Sequence, residues 1–290
     1  MISRRQFLTL GAVTAGSAVL GAADAFAIEP GFSLAVRHWS IAHPNWPKSA
    51  KPLRIGVLTD IHAVEPWMPA SRIAAIARRM NALKPDLIVL LGDYVCALRR
   101  GLRTATVPVA AWTEALKELR APLGVHAVLG NHDLWSAEDG AIRRHFKEAG
   151  FRLLENAAIP LKQDGCRFWL AGIGDQLEAM DDLPGTLRQI GDTSPTILLA
   201  HEPNIFKKVP KQVTLTLAGH THGGQVYLPF IGRPAIPPQY ANYAYGHIER
   251  GGRHMIVSSG LGVTAFPVRF LVPPEIAIVT LQHRESTKVT

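Results

Sequence analysis

The chain has 290 residues, 47% hydrophobic and 19% charged, and carries a formal net charge of +8. That composition excludes a disordered or fibrous chain, and two cysteines, Cys96 and Cys166, cannot frame a disulfide scaffold of this size, so free thiols are expected. The positive balance suits anionic partners, but the basic residues never run longer than two, so no specific nucleic-acid partner is expected.

The first 27 residues read as an export signal. A charged start is followed by a small-residue apolar middle and Ala25-Phe26-Ala27, which predicts a cut after Ala27. Ser3-Arg4-Arg5-Gln6-Phe7-Leu8 resembles a twin-arginine signal, which implies the twin-arginine export machinery as a partner and a periplasmic or cell-envelope location. The apolar part, 7–23, is short and glycine-interrupted against the roughly 20 residues that a membrane span needs. Residues 28–50, with Pro30, Pro44 and Pro47, read as an N-terminal extension, 51–283 as the main domain and 284–290 as a tail.

Eight apolar runs of strand length follow, at 53–60, 86–93, 124–133, 167–175, 196–203, 213–222, 254–262 and 275–282. Runs apolar at every position predict strands buried on both faces. Between them, Ile73, Ile76, Met80 and Leu83 recur at helical spacing, as do Trp112, Leu116 and Leu119, then Ile142 and Phe146 after a cap at Ser136. Alternation of strand and helix is the α/β signature. The strand-rich second half predicts a four-layer α/β/β/α sandwich.

Five of these runs end in polar residues of one chemical kind: Asp60-Ile61-His62, Gly92-Asp93, Gly130-Asn131-His132-Asp133, His201-Glu202 and Gly219-His220-Thr221-His222. Ligands of open α/β sheets gather outside the carboxyl ends of strands. An Asp or His at one strand end is more often a turn residue, so the joint occurrence decides. Carboxylates, an amide oxygen and imidazoles without thiolate suit Mn, Fe or Zn, and seven donors are too many for one tetrahedral ion.

This set resembles the calcineurin-like metallophosphoesterase superfamily. Gly223-Gly224-Gln225-Val226 and the segment 258–281 resemble its bacterial branch of exported or membrane-associated phosphodiesterases, with Ser259 where that branch has arginine. The resemblance implies two divalent ions, Mn first and Zn or Fe as alternatives. Asp60, His62 and His222 would hold one, Asn131, His201 and His220 the other, and Asp93 would bridge. His132 would face the substrate as general acid, with Asp133 either orienting it or capping the following helix. A metal-bound hydroxide would attack a phosphodiester, and an envelope or lipid-linked substrate fits the export signal. The alternatives are a UDP-2,3-diacylglucosamine-type pyrophosphohydrolase, a phosphomonoesterase, a non-catalytic metal-stabilised scaffold and a lipid-binding module.

Gly223 and Gly224 are expected to let the backbone approach the metals and phosphate, or simply to turn the chain. Tyr94, Trp135 and Tyr227 are candidates for pocket wall or for plain packing. Asp175 reads as a turn residue and His126 as a satisfied core histidine. His38, His43, His247 and His254 carry no spacing signal. The loop 228–246 mixes Pro, aromatic and apolar residues and is a candidate lid or membrane-facing patch.

Overall fold

The computed structural model describes residue 21, residues 23–96 and residues 106–284. The twin-arginine motif and the tail beyond 284 lie outside them.

Among the described residues twelve strands form two mixed sheets of six. The first runs β1–β12–β2–β3–β4–β5, with β1 Ala35–His43, β2 Leu53–Leu58, β3 Leu87–Leu91, β4 Val125–Val128, β5 Arg152–Leu153 and β12 Glu275–His283. The second runs β10–β11–β9–β8–β7–β6, with β6 Ala157–Gln163, β7 Cys166–Gly172, β8 Thr196–Leu199, β9 Val213–Ala218, β10 Gly246–Arg250 and β11 Arg253–Val257. The central strands β2, β3 and β4 are mutually parallel, as are β7, β8, β9 and β11. Of the four edge strands, β6 and β10 pair antiparallel with their neighbours and β1 and β5 pair in parallel.

The alternation of side chains along each strand builds three cores. Ile88 and Leu90 of β3 join the outer core. There they meet α1 Ala70–Ala82, α2 Val109–Leu116 and α4 Asp139–Glu148 through Ile73, Ile76, Met80, Trp112, Leu116, Ile142 and Phe146. Leu87, Val89 and Leu91 point the other way, between the sheets, against Leu170, Leu199, Leu215 and Leu217. The far face of the second sheet carries Leu198, Ala200, Met255 and Val257 under Leu183, Ile205 and Phe206. This is the expected α/β/β/α sandwich.

The N-terminal segment is tied in rather than merely laid on. Its strand β1 pairs in parallel with β12 over nine residue pairs. Before it, the buried carboxylate of Glu29 accepts the backbone N–H groups of Leu271 and Val272 at 2.9 and 2.6 Å. Arg72 donates to the carbonyls of Pro30 and Ser33 at 2.5 and 2.9 Å. Trp46 fills the space between the sheets.

The structure moves one predicted boundary. The short helix α3 is Asn131–Trp135, so Ser136 closes α3 and donates to the Asp133 carbonyl instead of capping the next helix. Glu138 is the N-cap of α4, and its N–H is bonded by Ser136 Oγ. No disulfide joins Cys96 and Cys166. Among the described residues no helix is long and apolar enough to cross a membrane.

Candidate metal centre and active site

All five motif blocks meet at the carboxyl ends of β2, β3 and β4 of the first sheet and β8 and β9 of the second. The site therefore sits where the two sheets converge, and both must be in register for it to exist. Asp60, His62, Asp93, Asn131 and His201 are each 1% exposed or less, and His222 is 2% exposed.

The donors fall into two groups that share one atom. In the first, His62 Nε2 lies 3.0 Å from His222 Nε2, and His222 Nε2 lies 3.5 Å from Asp60 Oδ1. In the second, His220 Nδ1 lies 3.2 Å from His201 Nε2 and 3.1 Å from Asn131 Oδ1. Asp93 Oδ2 stands between the groups, 3.5 Å from His62 Nε2 and 3.2 Å from His201 Nε2. Its other oxygen accepts the backbone N–H of His132 at 2.9 Å. Two donor triads around a common carboxylate oxygen fit a pair of divalent cations, and the absence of thiolates fits Mn, Zn or Fe.

A second layer orients these donors. His62 Nδ1 is 3.2 Å from the Val95 carbonyl, and His201 Nδ1 is 2.7 Å from that of Leu91. A ring N–H donated outward leaves the Nε2 lone pair facing the site. Asp60 accepts from Thr59 Oγ1 at 2.8 Å and from the His220 N–H at 3.0 Å, which couples the end of β2 to the end of β9. Asp133 does not orient His132. Its carboxylate instead gathers the backbone N–H groups of Asp93, Tyr94, Val95 and Gly130, at 2.8–3.2 Å. It thereby fixes the loop that presents Asp93.

The backbone is strained where the donors stand. Asp60, His62, Asp93, His220 and His222 all have φ between 42 and 70°, the left-handed region that side chains disfavour. Gly130 leaves room beside Asp93: a Cβ there would collide with Asp93 Oδ1 and crowd His201. The glycines after His222 have a different reason. Gly223 and Gly224 turn at φ of 57 and 78°, and a Cβ on either would press on Val272, Ser259, Arg233 or Ile236, not on the donors. The turn explains them.

Burial sets the charge states. It pushes His62 and His220 down to about 3 and His222 well below its ordinary value, so these imidazoles are neutral, the ligating form. Burial also pushes Asp60 up to about 7, with the nearby Asp93 adding to the rise. Asp93 goes the other way. Burial opposes its charge, but His201, then His132 and His62, hold it well below the usual carboxylate range. Asp93 in turn raises His201 against burial. A cation bound at this end must displace the His201 proton.

A cavity of about 350 Å³ opens onto the donors. Its lining combines Asp93, Asn131, His132, His220 and His222 with the apolar Val226, Ile236, Pro237, Ala265, Phe266 and Val268. His132 stands on the wall, edge-on to His62 at 4.7 Å, with its Nδ1 unbonded. Trp135 lines the cavity beside it, 4.9 Å between ring centres. Tyr94 does not: it is buried between Trp112 and Phe146, with its hydroxyl on the Val128 carbonyl at 2.8 Å. Tyr227 is 39% exposed and carries the Arg233 guanidinium on its ring, away from the cavity.

Sequence reasoning missed Tyr240, whose ring lies 4.9 Å from that of His220, and Phe266, 70% exposed at the cavity mouth. Neither sits next to a motif. Ser259 is buried, its N–H on Glu275 and its carbonyl on Arg269, so a surface phosphate contact at this position is excluded. Asp175 caps a turn through the Glu178 N–H, as read, and His126 is bonded to the Leu123 carbonyl.

Residues 53–224 match the model of the calcineurin-like phosphoesterase family. The chain belongs to that family. It is 33% identical over 288 residues to the uncharacterized metallophosphoesterase YkuE of Bacillus subtilis (strain 168), covering 97% of this chain and 98% of the relative. It is 32% identical over 286 residues to phosphodiesterase YaeI of Escherichia coli (strain K12), covering 97% and 100%. A metallophosphoesterase of Aquifex aeolicus (strain VF5) is 30% identical over 269 residues, 87% of this chain and 94% of its own. The protein is a metal-dependent phosphoester hydrolase. Its family uses a binuclear metal site.

Proposed function

We propose that this metallophosphoesterase is a phosphodiesterase whose two cations are held by Asp60, His62 and His222 on one side and Asn131, His201 and His220 on the other. Asp93 Oδ2, equidistant to within 0.3 Å from a histidine of each triad, carries this reading. Bound there, the cations would neutralise phosphate charge and supply an activated water. Manganese is the proposed occupant, with zinc or iron as alternatives.

The chain's own residues do the rest. Asp93 Oδ1 holds the His132 backbone N–H, so the imidazole is placed by the same carboxylate that joins the triads. From the cavity wall His132 would give its ring proton to the departing ester oxygen. Trp135 and His62 fix the ring on two sides.

The cavity supports a diester with an apolar arm. Among the described residues no lysine or arginine lines it, so the second negative charge of a monoester gains no side-chain cation there. The apolar residues of its lining offer an uncharged surface to a second ester group. That surface continues outward. The segment between Val226 and Ala235, which both line the cavity, carries Phe230 and Ile231 exposed, and Phe266 and Leu271, 70% and 52% exposed, lie on the segment whose Phe270 bridges to Val226. An exposed apolar rim suits a lipid-linked or envelope phosphodiester. Peripheral contact with a membrane would follow. A chain cut after Ala27 would give up the buried Ala25, whose carbonyl accepts the Arg269 N–H at 2.9 Å, and would keep Glu29 as its first anchor, with Ile28 exposed before it.

The test is turnover by metal-stripped protein reloaded with Mn, Zn, Mg or Fe, on bis-p-nitrophenyl phosphate and on p-nitrophenyl phosphate. The diester should be preferred, and His132→Ala should keep both cations while losing about 10²–10⁴-fold in turnover. A monoester preference, or full activity in His132→Ala, would overturn the assignment. N-terminal sequencing of protein from the cell envelope should find Ile28 first, and Phe266→Ser should slow lipid diesters while sparing the soluble one.

A further inference from the structure

Three histidines without a spacing signal, His43, His247 and His254, come together at the opposite flank of the sandwich, with Glu249 among them. They stand where β1, the edge of the first sheet, meets the β10–β11 hairpin at the edge of the second. The hairpin turns on Gly251 and Gly252, with φ of 60 and 76°, the paired left-handed conformation of a two-residue turn. That turn fixes Glu249 opposite His254 and His247 opposite Ile256. His247 and Glu249, two apart on one strand, share a face, and His254 faces Glu249 directly and His247 diagonally.

The donor atoms of His247, Glu249 and His254 lie within 4.8 Å of one another. His247 Nε2 is 3.0 Å from His254 Nδ1, with rings 5.2 Å apart and 17° from parallel. The candidate metal centre repeats this geometry: His62 and His222 place ring nitrogens 3.0 Å apart, with rings 4.9 Å apart and 24° from parallel.

We infer that His247, Glu249 and His254 form a further cation site, separate from the catalytic pocket, for a zinc-class divalent ion. Two imidazoles and one carboxylate give three ligands of a tetrahedral set, and the exposure of His247 and Glu249 leaves water the fourth place. Burial holds both His247 and His254 below their ordinary value, so they are neutral ligands. Glu249 supplies the negative charge against the nearby Arg284. His43 backs the site without ligating through Nδ1, which accepts the Asn45 N–H at 3.1 Å, and its ring stands edge-on to His254 at 5.5 Å. The ion would clasp the edge hairpin beside β1.

The experiment compares metal-stripped parent with His247→Ala and with His247→Ala/Glu249→Gln. Both residues are exposed, so the variants fold, which circular dichroism checks. After reloading with zinc and removal of excess, elemental analysis should find one equivalent fewer in either variant than in the parent. Turnover of bis-p-nitrophenyl phosphate should be unchanged, and zinc should raise the melting temperature of the parent further than that of the variants. Equal metal content and equal zinc-induced shifts in parent and variants would overturn the inference. The readout is a difference, so it stands apart from how many ions the catalytic pocket takes.

Discussion

Among the described residues histidines and carboxylates gather at the strand ends and at the β10–β11 hairpin, and the two clusters are built in opposite ways. At the strand ends, five of the seven donors themselves carry the left-handed backbone, and all but the half-buried His220 are buried, within hydrogen bonds from Val95, Leu91, Thr59 and Asp133. In the hairpin, two glycines carry it, and the donors sit in a regular ladder with two of the three exposed. Strain in the donors persists only where surroundings over-determine it. The first cluster therefore needs the whole sandwich, whereas the second needs a turn and a register.

The sharpest way to break that contrast is to remove the atom on which the first cluster depends. Asp93→Asn leaves the side chain's shape but takes away the charge shared by both triads. It also exchanges one oxygen for an N–H₂ group, either next to His62 and His201 or against the His132 N–H. Both cations should be lost together and turnover should fall below detection. The hairpin ion should stay, which elemental analysis of the reloaded variant reads directly. Retention of both catalytic cations would show that Asp93 is not their common ligand.

A smaller effect tests the supporting layer. Asp133 touches no donor side chain of the site, yet it gathers four backbone N–H groups around Asp93. Asp133→Asn puts an N–H₂ group against N–H donors and frees the loop to lift. Metal affinity at the strand ends should weaken by about 10–100-fold, as for other residues that orient ligands. Titration of the stripped variant with manganese measures it, and added metal should restore much of the turnover. If instead turnover falls with affinity intact, Asp133 acts on His132 after all.

The sequence shows the first cluster and hides the second for one reason. Asp60-x-His62 or His220-x-His222 is written along a single strand end, so its spacing survives in the linear order. His247-x-Glu249 has the same spacing but follows no apolar run, and its partners His254 and His43 join only across the hairpin and from the other sheet. The same rule governs the strands. The eight apolar runs mark the eight inner strands, and the four strands without such a run, β1, β5, β6 and β10, are the four edges. An edge strand is half solvated: β6 holds Pro160 and β10 holds His247 and Glu249, which interrupts any apolar run. Tyr94 takes the plain one of its two readings: it follows Asp93 in sequence, yet its ring completes the aromatic core with Trp112 and Phe146.

The finest test asks whether the hairpin's strain is confined to its glycines. Gly251 has φ of 60° and open space where a Cβ would go, so Gly251→Ala adds conformational cost and no clash. A side chain in the left-handed region costs about 1–2 kcal/mol, and about 1 kcal/mol lowers the melting temperature of a chain of this class by roughly 2–4 °C. The register of Glu249 opposite His254 should loosen, and zinc held by the hairpin should exchange faster, while diester turnover stays at the parent value. Melting curves with and without zinc separate the two contributions, since a strained turn lowers both curves and a loosened site also narrows the gap between them. A fall in turnover would mean that the hairpin edge and the strand ends are mechanically joined through β11 and β9, whose ladder runs from Met255–Thr216 to Val257–Ala218, two residues short of His220. The two clusters would then have to be treated as one unit rather than as two separate solutions to holding a cation.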